Sequence, residues 1–179
     1  EDTFCISIND LKKKITKKSK AVIAVNLFGH PAELGELKKI CNNHNLFLIE
    51  DNAQAPLATE NNNLTGTIGD VGIFSLNYHK HIHCGEGGVA VTNNKDLAVR
   101  MQLVRNHAEA VVKPAKVDNL TNMIGFNFRM TELSAAVANE QLRKIEKHVD
   151  KRIKISETLS EKLSNLKGIT VPKIRNKCK

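Results

Sequence analysis

Tryptophan is absent from the 179 residues, tyrosine occurs once and phenylalanine six times. So sparse an aromatic set offers little for unpaired bases to stack on. The two basic ends of the chain contribute only Phe4, which argues against a nucleic-acid surface. No apolar run approaches the roughly 18 residues a membrane helix needs. The opening Glu1-Asp2-Thr3-Phe4 lacks the charged-then-apolar layout of a signal peptide. Cys5, Cys41, Cys84 and Cys178 are far apart with no C-x-x-C pairing, so neither a zinc ribbon nor a disulfide framework is indicated. A cytoplasmic protein with reduced thiols, no bound metal and no membrane partner is the expectation.

What is present is an ordinary globular composition, with 41% apolar and 26% charged residues, enough for a packed core. The net charge of +8 is uneven. Residues 1–20 hold six Lys against three acids, and residues 141–179 hold twelve basic residues against four acids, whereas residues 21–140 hold nine against twelve. The basic excess therefore belongs to the flanks.

The pattern predicts an α/β fold. A lysine-rich amphipathic helix over 11–20 precedes Ala21-Val22-Ile23-Ala24-Val25-Asn26-Leu27, a continuous apolar run that reads as a strand buried on both faces of a parallel sheet. A helix follows from Ala32 to Asn43, with Leu34, Leu37, Ile40 and Cys41 on one face, then a strand from Leu46 to Ile49. This βαβ unit runs into Glu50-Asp51, and in open α/β sheets the carboxyl ends of strands are where ligands bind. Further strands are predicted at 71–75 and 88–92 and a helix over 96–106. A loop containing Pro114 spans 108–123, one long helix runs from Thr131 to about Leu163, and a last short strand covers 169–172.

The densest chemistry lies between Phe74 and Gly88. His79, His81, His83 and Cys84 are metal-capable side chains, but a Lys separates two of them and no second ligand group stands at a usual spacing. A bland His-rich loop is a second reading. The third makes Lys80 an imine-forming amine, which must be unprotonated to attack a carbonyl and so needs burial or cationic neighbours.

Four segments stand in register: Glu50-Asp51-Asn52-Ala53-Gln54, Gly69-Asp70-Val71-Gly72-Ile73-Phe74-Ser75, Lys80-His81-Ile82-His83-Cys84-Gly85-Glu86-Gly87-Gly88, and the run from Gly125 to Ala136. Together they resemble the DegT/DnrJ/EryC1/StrS family of pyridoxal-phosphate-dependent sugar aminotransferases. The resemblance implies a type I aminotransferase-like large domain, partial here, with a mostly parallel sheet flanked by helices. Residues 1–130 would be the cofactor-binding part, and residues 131–179 the long helix and the start of the connection to a C-terminal small domain.

That resemblance also implies the roles. Lys80 matches the lysine that binds pyridoxal 5′-phosphate covalently and later moves a proton between carbon atoms. Asp51 matches the acid partner of the ring nitrogen, Gln54 the glutamine near the ring hydroxyl, and Ser75 a phosphate-binding hydroxyl. Asn127 matches an asparagine that reaches the phosphate of a neighbouring subunit, implying a homodimer with shared sites. His30 and Arg129 are weaker substrate-binding candidates: His30 equally suits a turn, and for Arg129 a tie between loop and helix is preferred. Read without the resemblance, Asp51 is also a possible helix cap, Ser75 a strand-end hydroxyl, Gln54 a surface amide and Asn127 a turn residue.

The implied activity transfers an amino group from an amino acid, with glutamate the first candidate, to a nucleotide-linked keto-sugar. Alternatives are a dehydratase or non-catalytic member of the same family, and, from another class, a basic interaction module. The family's dehydratase branch has His where this chain has Lys80, which favours the aminotransferase. Asn52 stands where Ala is common, and Pro56-Leu57 replaces the usual His-Gly. Because the family is about twice this length, the expectation is a fragment without the N-terminal phosphate anchor and stacking aromatic, binding the cofactor poorly by itself.

Overall fold

In the computed structural model, residues 2–108 and 123–179 are described. The predicted loop over 108–123 lies almost wholly outside them. The centre is a four-stranded sheet in the order β1 (Ala21–Val25), β2 (Phe47–Asp51), β5 (Val71–Ser75), β6 (Gly88–Val91). β1, β2 and β5 run parallel, and β6 is antiparallel to β5. The carboxyl ends of the three parallel strands therefore share one edge. Between β2 and β5 lies a small hairpin, β3 (Thr59–Glu60) and β4 (Asn63–Leu64), which the sequence reading did not anticipate.

Helix α1 (Ile8–Lys14) starts at Ser7, whose side chain accepts the Asp10 N–H, and stops well short of the predicted Lys20. Helix α2 (Leu34–Asn43) buries Leu34, Leu37, Ile40 and Cys41, as its periodicity requires. Leu34, Leu37 and Cys41 meet Val22, Ala24 and Leu48 from one face of the sheet, with Ile8 and Leu11 of α1 at the margin.

The other face corrects an expectation. β1 is not buried on both sides: its exposure alternates, with Ile23 60% exposed, and neighbouring Phe47 is 53% exposed. The apolar run is fit for two-sided burial, but among the described residues α1 and α2 pack on one face only. Strand register places Asp51, Ile73 and Ser75 on this open face with Ile23 and Val25.

Helix α3 (Lys95–Arg105) begins at Asn94, whose side chain accepts the Asp96 and Leu97 N–H groups. The single long helix predicted from Thr131 is in fact two, α4 (Glu132–Leu142) and α5 (Ile145–Leu163). The interruption at Arg143–Lys144 turns Ile145 into a cluster with Leu76 and Ile82, a tertiary contact that periodicity does not reveal. No strand forms at 169–172. Instead Thr59 and Lys179 exchange backbone hydrogen bonds of 2.7 and 3.0 Å, and Asn61 N–H donates to Lys177 O at 2.9 Å. The final residues thus line up along the β3–β4 hairpin. Among the described residues, no helix is long and apolar enough to cross a membrane.

Candidate active site

Asp51 is the last residue of β2 and Ser75 the last of the adjacent strand β5, so both candidates stand at the shared carboxyl edge on the open face. Asp51 Oδ1 accepts the Ala53 N–H at 3.0 Å, which fixes the carboxylate where the chain leaves the strand. Gln54, three residues on, reaches back to β1: its Oε1 accepts the Phe28 N–H at 2.9 Å. Phe28 belongs to a short 3₁₀ turn (Leu27–Gly29) and sits at φ 55, ψ 21. That left-handed conformation is unusual for a bulky residue, and the Gln54 bond helps hold it. Gln54 is therefore no idle surface amide, because it joins the turns that follow two parallel strands.

Lys80 is half-buried on the loop between β5 and β6. The neck of that loop is closed by Leu76 N–H to Gly87 O at 2.8 Å and Cys84 N–H to Leu76 O at 3.1 Å. Asn77 Nδ2 also donates to Glu86 Oε1 at 2.6 Å. Ile82 is buried against Leu76 and Ile145, which seats the loop on the start of α5. Burial first, and then the charges of Arg152 and Lys80, lower the His81 pKa, so a neutral imidazole neighbours the Lys80 amine. Among the described residues, no group of three or more His, Cys, Asp or Glu is placed to hold a metal.

The weaker candidates sit elsewhere. Asn127 and Arg129 are exposed on a segment bound to the end of α3, through Phe126 N–H to Val104 O at 2.7 Å and Phe128 N–H to Arg105 O at 3.0 Å. Among the described residues, no hydrogen bond or ion pair joins either side chain to Asp51, Ser75 or Lys80. His30 follows β1 and is engaged from both ring nitrogens. Its Nε2 accepts the Arg175 N–H at 3.1 Å, and its Nδ1 lies 2.8 Å from Pro31 O. Arg175 Nη2 also donates to Pro31 O and Ala32 O, each at 2.8 Å, and to Glu60 Oε1 at 3.1 Å. These contacts give His30 a local structural role.

Sequence reasoning missed the residues that hold this edge together. Asn26 and Asn52, each the residue after a strand, are completely buried and bonded to each other, Nδ2 to Oδ1, at 2.7 Å. Glu50 is buried and accepts the N–H groups of Gly66, Ile68 and Gly69. A signal existed for Asn26, a polar residue set directly after the apolar run Ala21–Val25, but not for Asn52, which follows the acidic pair Glu50-Asp51. Nothing in the sequence ties Glu60 to Arg175, which are 115 residues apart.

A family model described as the DegT/DnrJ/EryC1/StrS aminotransferase family matches residues 1–179. The GDP-perosamine synthase of Vibrio cholerae is 35% identical over 165 residues, covering 92% of this chain and 44% of that protein. The structure of S. venezuelae DesV in complex with a ketimine intermediate superposes with a TM-score of 0.90 at 28% identity, covering 99% of this chain and 47% of that one. E. coli GDP-4-keto-6-deoxy-D-mannose-3-dehydratase with bound hydrated PLP superposes at 0.85 with 30% identity, covering 98% and 49%. The chain spans about half the length of the curated relatives it matches. Sequence and fold agree: this chain belongs to the DegT/DnrJ/EryC1/StrS aminotransferase family.

Proposed function

We propose that this chain carries the cofactor-holding part of a pyridoxal-phosphate-dependent aminotransferase acting on a nucleotide-linked keto-sugar, with an amino acid, glutamate first among candidates, as the amino donor. The observation that carries the reading is the convergence of Asp51, Ser75 and the Lys80 loop on the carboxyl edge of adjacent parallel strands. That edge is where ligands bind in open α/β sheets.

The residues present fit the cofactor. It needs an amine for its aldehyde, an acid for its ring nitrogen and donors for its phosphate. When bound, pyridoxal phosphate supplies an electron sink for charge developing on the substrate carbon. Lys80 would hold it covalently and, as a free amine, take and return the proton of the reacting carbon. The Asp51 carboxylate would keep the ring nitrogen protonated, its own orientation set by the Ala53 N–H. Ser75 would donate its hydroxyl to the phosphate, and Gln54 would line the ring-hydroxyl side while its Oε1 keeps the Phe28 turn closed.

Two copies would share the sites, with Asn127 reaching the neighbour's cofactor phosphate. Supporting this, Phe126 and Phe128 stack with ring centroids 4.9 Å apart while 48% and 65% exposed, an apolar step beside Asn127. Dehydration is the second reading, favoured by the likeness to the E. coli dehydratase and opposed by a lysine at position 80.

Borohydride reduction of the full-length protein with pyridoxal phosphate, followed by peptide mass mapping, tests the assignment. The expected result is a single adduct on Lys80. An adduct elsewhere, or none, overturns it. Product analysis separates the two chemistries, because amino transfer leaves a keto acid from the donor and dehydration does not.

A further inference from the structure

We propose that Asn26 and Asn52 form a buried amide clasp that positions Asp51 and Gln54, so that both asparagines are positioning residues for the site. The proposal rests on the cofactor reading of Asp51 and Gln54 given above.

Asn26 and Asn52 directly follow β1 and β2, the two strands whose ends approach the site. Their backbones extend the sheet pairing by one residue: Asn26 N–H donates to Asp51 O at 3.0 Å, and Asn52 N–H to Ile73 O at 2.8 Å. Their side chains are 0% and 1% exposed. The hydrogen bonds form a chain with a single direction. Ala32 N–H donates to Asn26 Oδ1 at 2.7 Å, Asn26 Nδ2 donates to Asn52 Oδ1 at 2.7 Å, and Asn52 Nδ2 donates to Glu50 O at 3.1 Å.

Backbone groups fix both ends of that chain. Ala32 offers only a donor, so Asn26 must present its oxygen there; Glu50 O can only accept, so Asn52 must present its nitrogen. The remaining nitrogen of Asn26 and oxygen of Asn52 then face each other as donor and acceptor. An amide at each position, with one donor and one acceptor end, satisfies both backbone groups and the central contact together.

The clasp acts on both sides of the site. On the Asn26 side it holds the turn in which Phe28 donates to Gln54. On the Asn52 side it holds the bend immediately after Asp51, where Ala55 N–H donates to Asn52 O at 3.0 Å. A loss at either asparagine leaves a buried polar group of the other without a partner, which is far costlier than the loss of an exposed hydrogen bond. The turn is then expected to move, taking Phe28 away from Gln54.

The test combines amide exchange, cofactor binding and optical spectra on the full-length protein. In the wild type, the Asn26 and Asn52 side-chain amide protons are expected to exchange slowly by NMR, and fast exchange of both overturns the clasp without any variant. In Asn52→Ala, exchange at Phe28 and Ala32 N–H is expected to rise at least tenfold. The dissociation constant for pyridoxal phosphate is expected to rise at least tenfold, and the visible band of the bound cofactor to shift. Asn26→Asp keeps the acceptor for Ala32 but sets an oxygen against Asn52 Oδ1, and should behave alike. The double variant Asn26→Ala/Asn52→Ala should lose less than the product of the losses in Asn26→Ala and Asn52→Ala alone, because neither asparagine is left with an orphaned amide group. Unchanged exchange in both single variants, or raised exchange with unchanged cofactor affinity and spectrum, overturns the proposal. No uptake of pyridoxal phosphate by the wild type overturns the cofactor reading instead, and the exchange measurements, which need no cofactor, still decide the clasp.

Discussion

Glu50 and Asp51 are adjacent in β2 and send their carboxylates to opposite faces of the sheet. The Glu50 side chain is buried on the helix-covered side and gathers the N–H groups of Gly66, Ile68 and Gly69, shaping the loop that leads into β5. The Asp51 side chain stands on the open face at the strand end, where it accepts only the Ala53 N–H among the described residues. One acid builds the scaffold and the other is available for chemistry.

That division predicts opposite phenotypes for two isosteric substitutions. Glu50→Gln turns one acceptor into a donor facing backbone donors, and is expected to cost roughly 2 to 4 kcal/mol of folding stability. Asp51→Asn keeps the Ala53 contact and should change stability by less than about 0.5 kcal/mol, while weakening pyridoxal-phosphate binding at least tenfold. Urea unfolding and cofactor titration measure both, and the reverse assignment of the two losses would refute the division.

Gly66 shows how closely that loop is packed. A Cβ there would lie 2.5 Å from Phe74 Cζ and 2.9 Å from Asn52 Nδ2, and its φ of +88 is a left-handed conformation that favours glycine. Gly66→Ala is expected to destabilise by about 2 to 4 kcal/mol, seen as a lower urea midpoint, with Asn52 displaced. A wild-type midpoint would show that the loop can yield.

His30 should give the protein an acid-sensitive contact. Burial lowers its pKa from the ordinary 6.5, the bond to Pro31 O works the other way, and the Arg175 charge lowers it further against a smaller opposing effect of Glu60. The neutral ring is required because Nε2 accepts the Arg175 N–H. Stability from this contact is therefore fully present above the ordinary pKa of 6.5 and is lost as pH falls through the lower folded value. The thermal stability of the wild type should fall as pH drops below about 6.5, and His30→Gln should lack that limb. An identical limb in the variant would place the titration elsewhere.

Asp70 carries a second pH limb, farther into acid. Burial pushes its carboxyl up, but the hydrogen bond from Lys38, the Leu48 N–H and the Lys38 charge outweigh that and leave it below the ordinary value. Lys38 Nζ lies 2.6 Å from Oδ1, and Leu48 N–H donates to Oδ2 at 2.7 Å. A lowered carboxyl contributes stability that is present above its unfolded pKa of about 4 and lost below it. Lys38→Met removes the main opposing influences while burial stays. Its acid unfolding midpoint should move to higher pH, and an unmoved midpoint would assign the limb to other carboxylates.

Much of the scaffold was legible in the chain because its signals are local. The Ala21–Val25 run, the α2 periodicity at Leu34, Leu37, Ile40 and Cys41, and the strands at 71–75 and 88–91 lie close to their predicted places. The break after Leu142 was not legible, because Ile145 turns inward to meet Leu76 and Ile82, partners more than sixty residues away in sequence. The strand expected at 169–172 does not form: Ile169 N–H closes a turn on Leu166 O at 3.3 Å, and it is Lys177 and Lys179 that pair with Asn61 and Thr59.

The sequence by itself determined the α/β class and the family, and singled out Lys80, Asp51, Gln54 and Ser75, because short-range periodicity and ordered motifs survive without coordinates. Only the tertiary structure decided what each polar residue faces. Strand alternation separates Glu50 from Asp51, parallel register brings Asp51 beside β5, and the packing of two turns buries Asn26 against Asn52. It also decided that β1 is covered on one face, where the apolar run alone suggested two. Residue type sets what a side chain can bond to, whereas register and packing set which partner lies within reach, and that choice depends on residues distant in the chain.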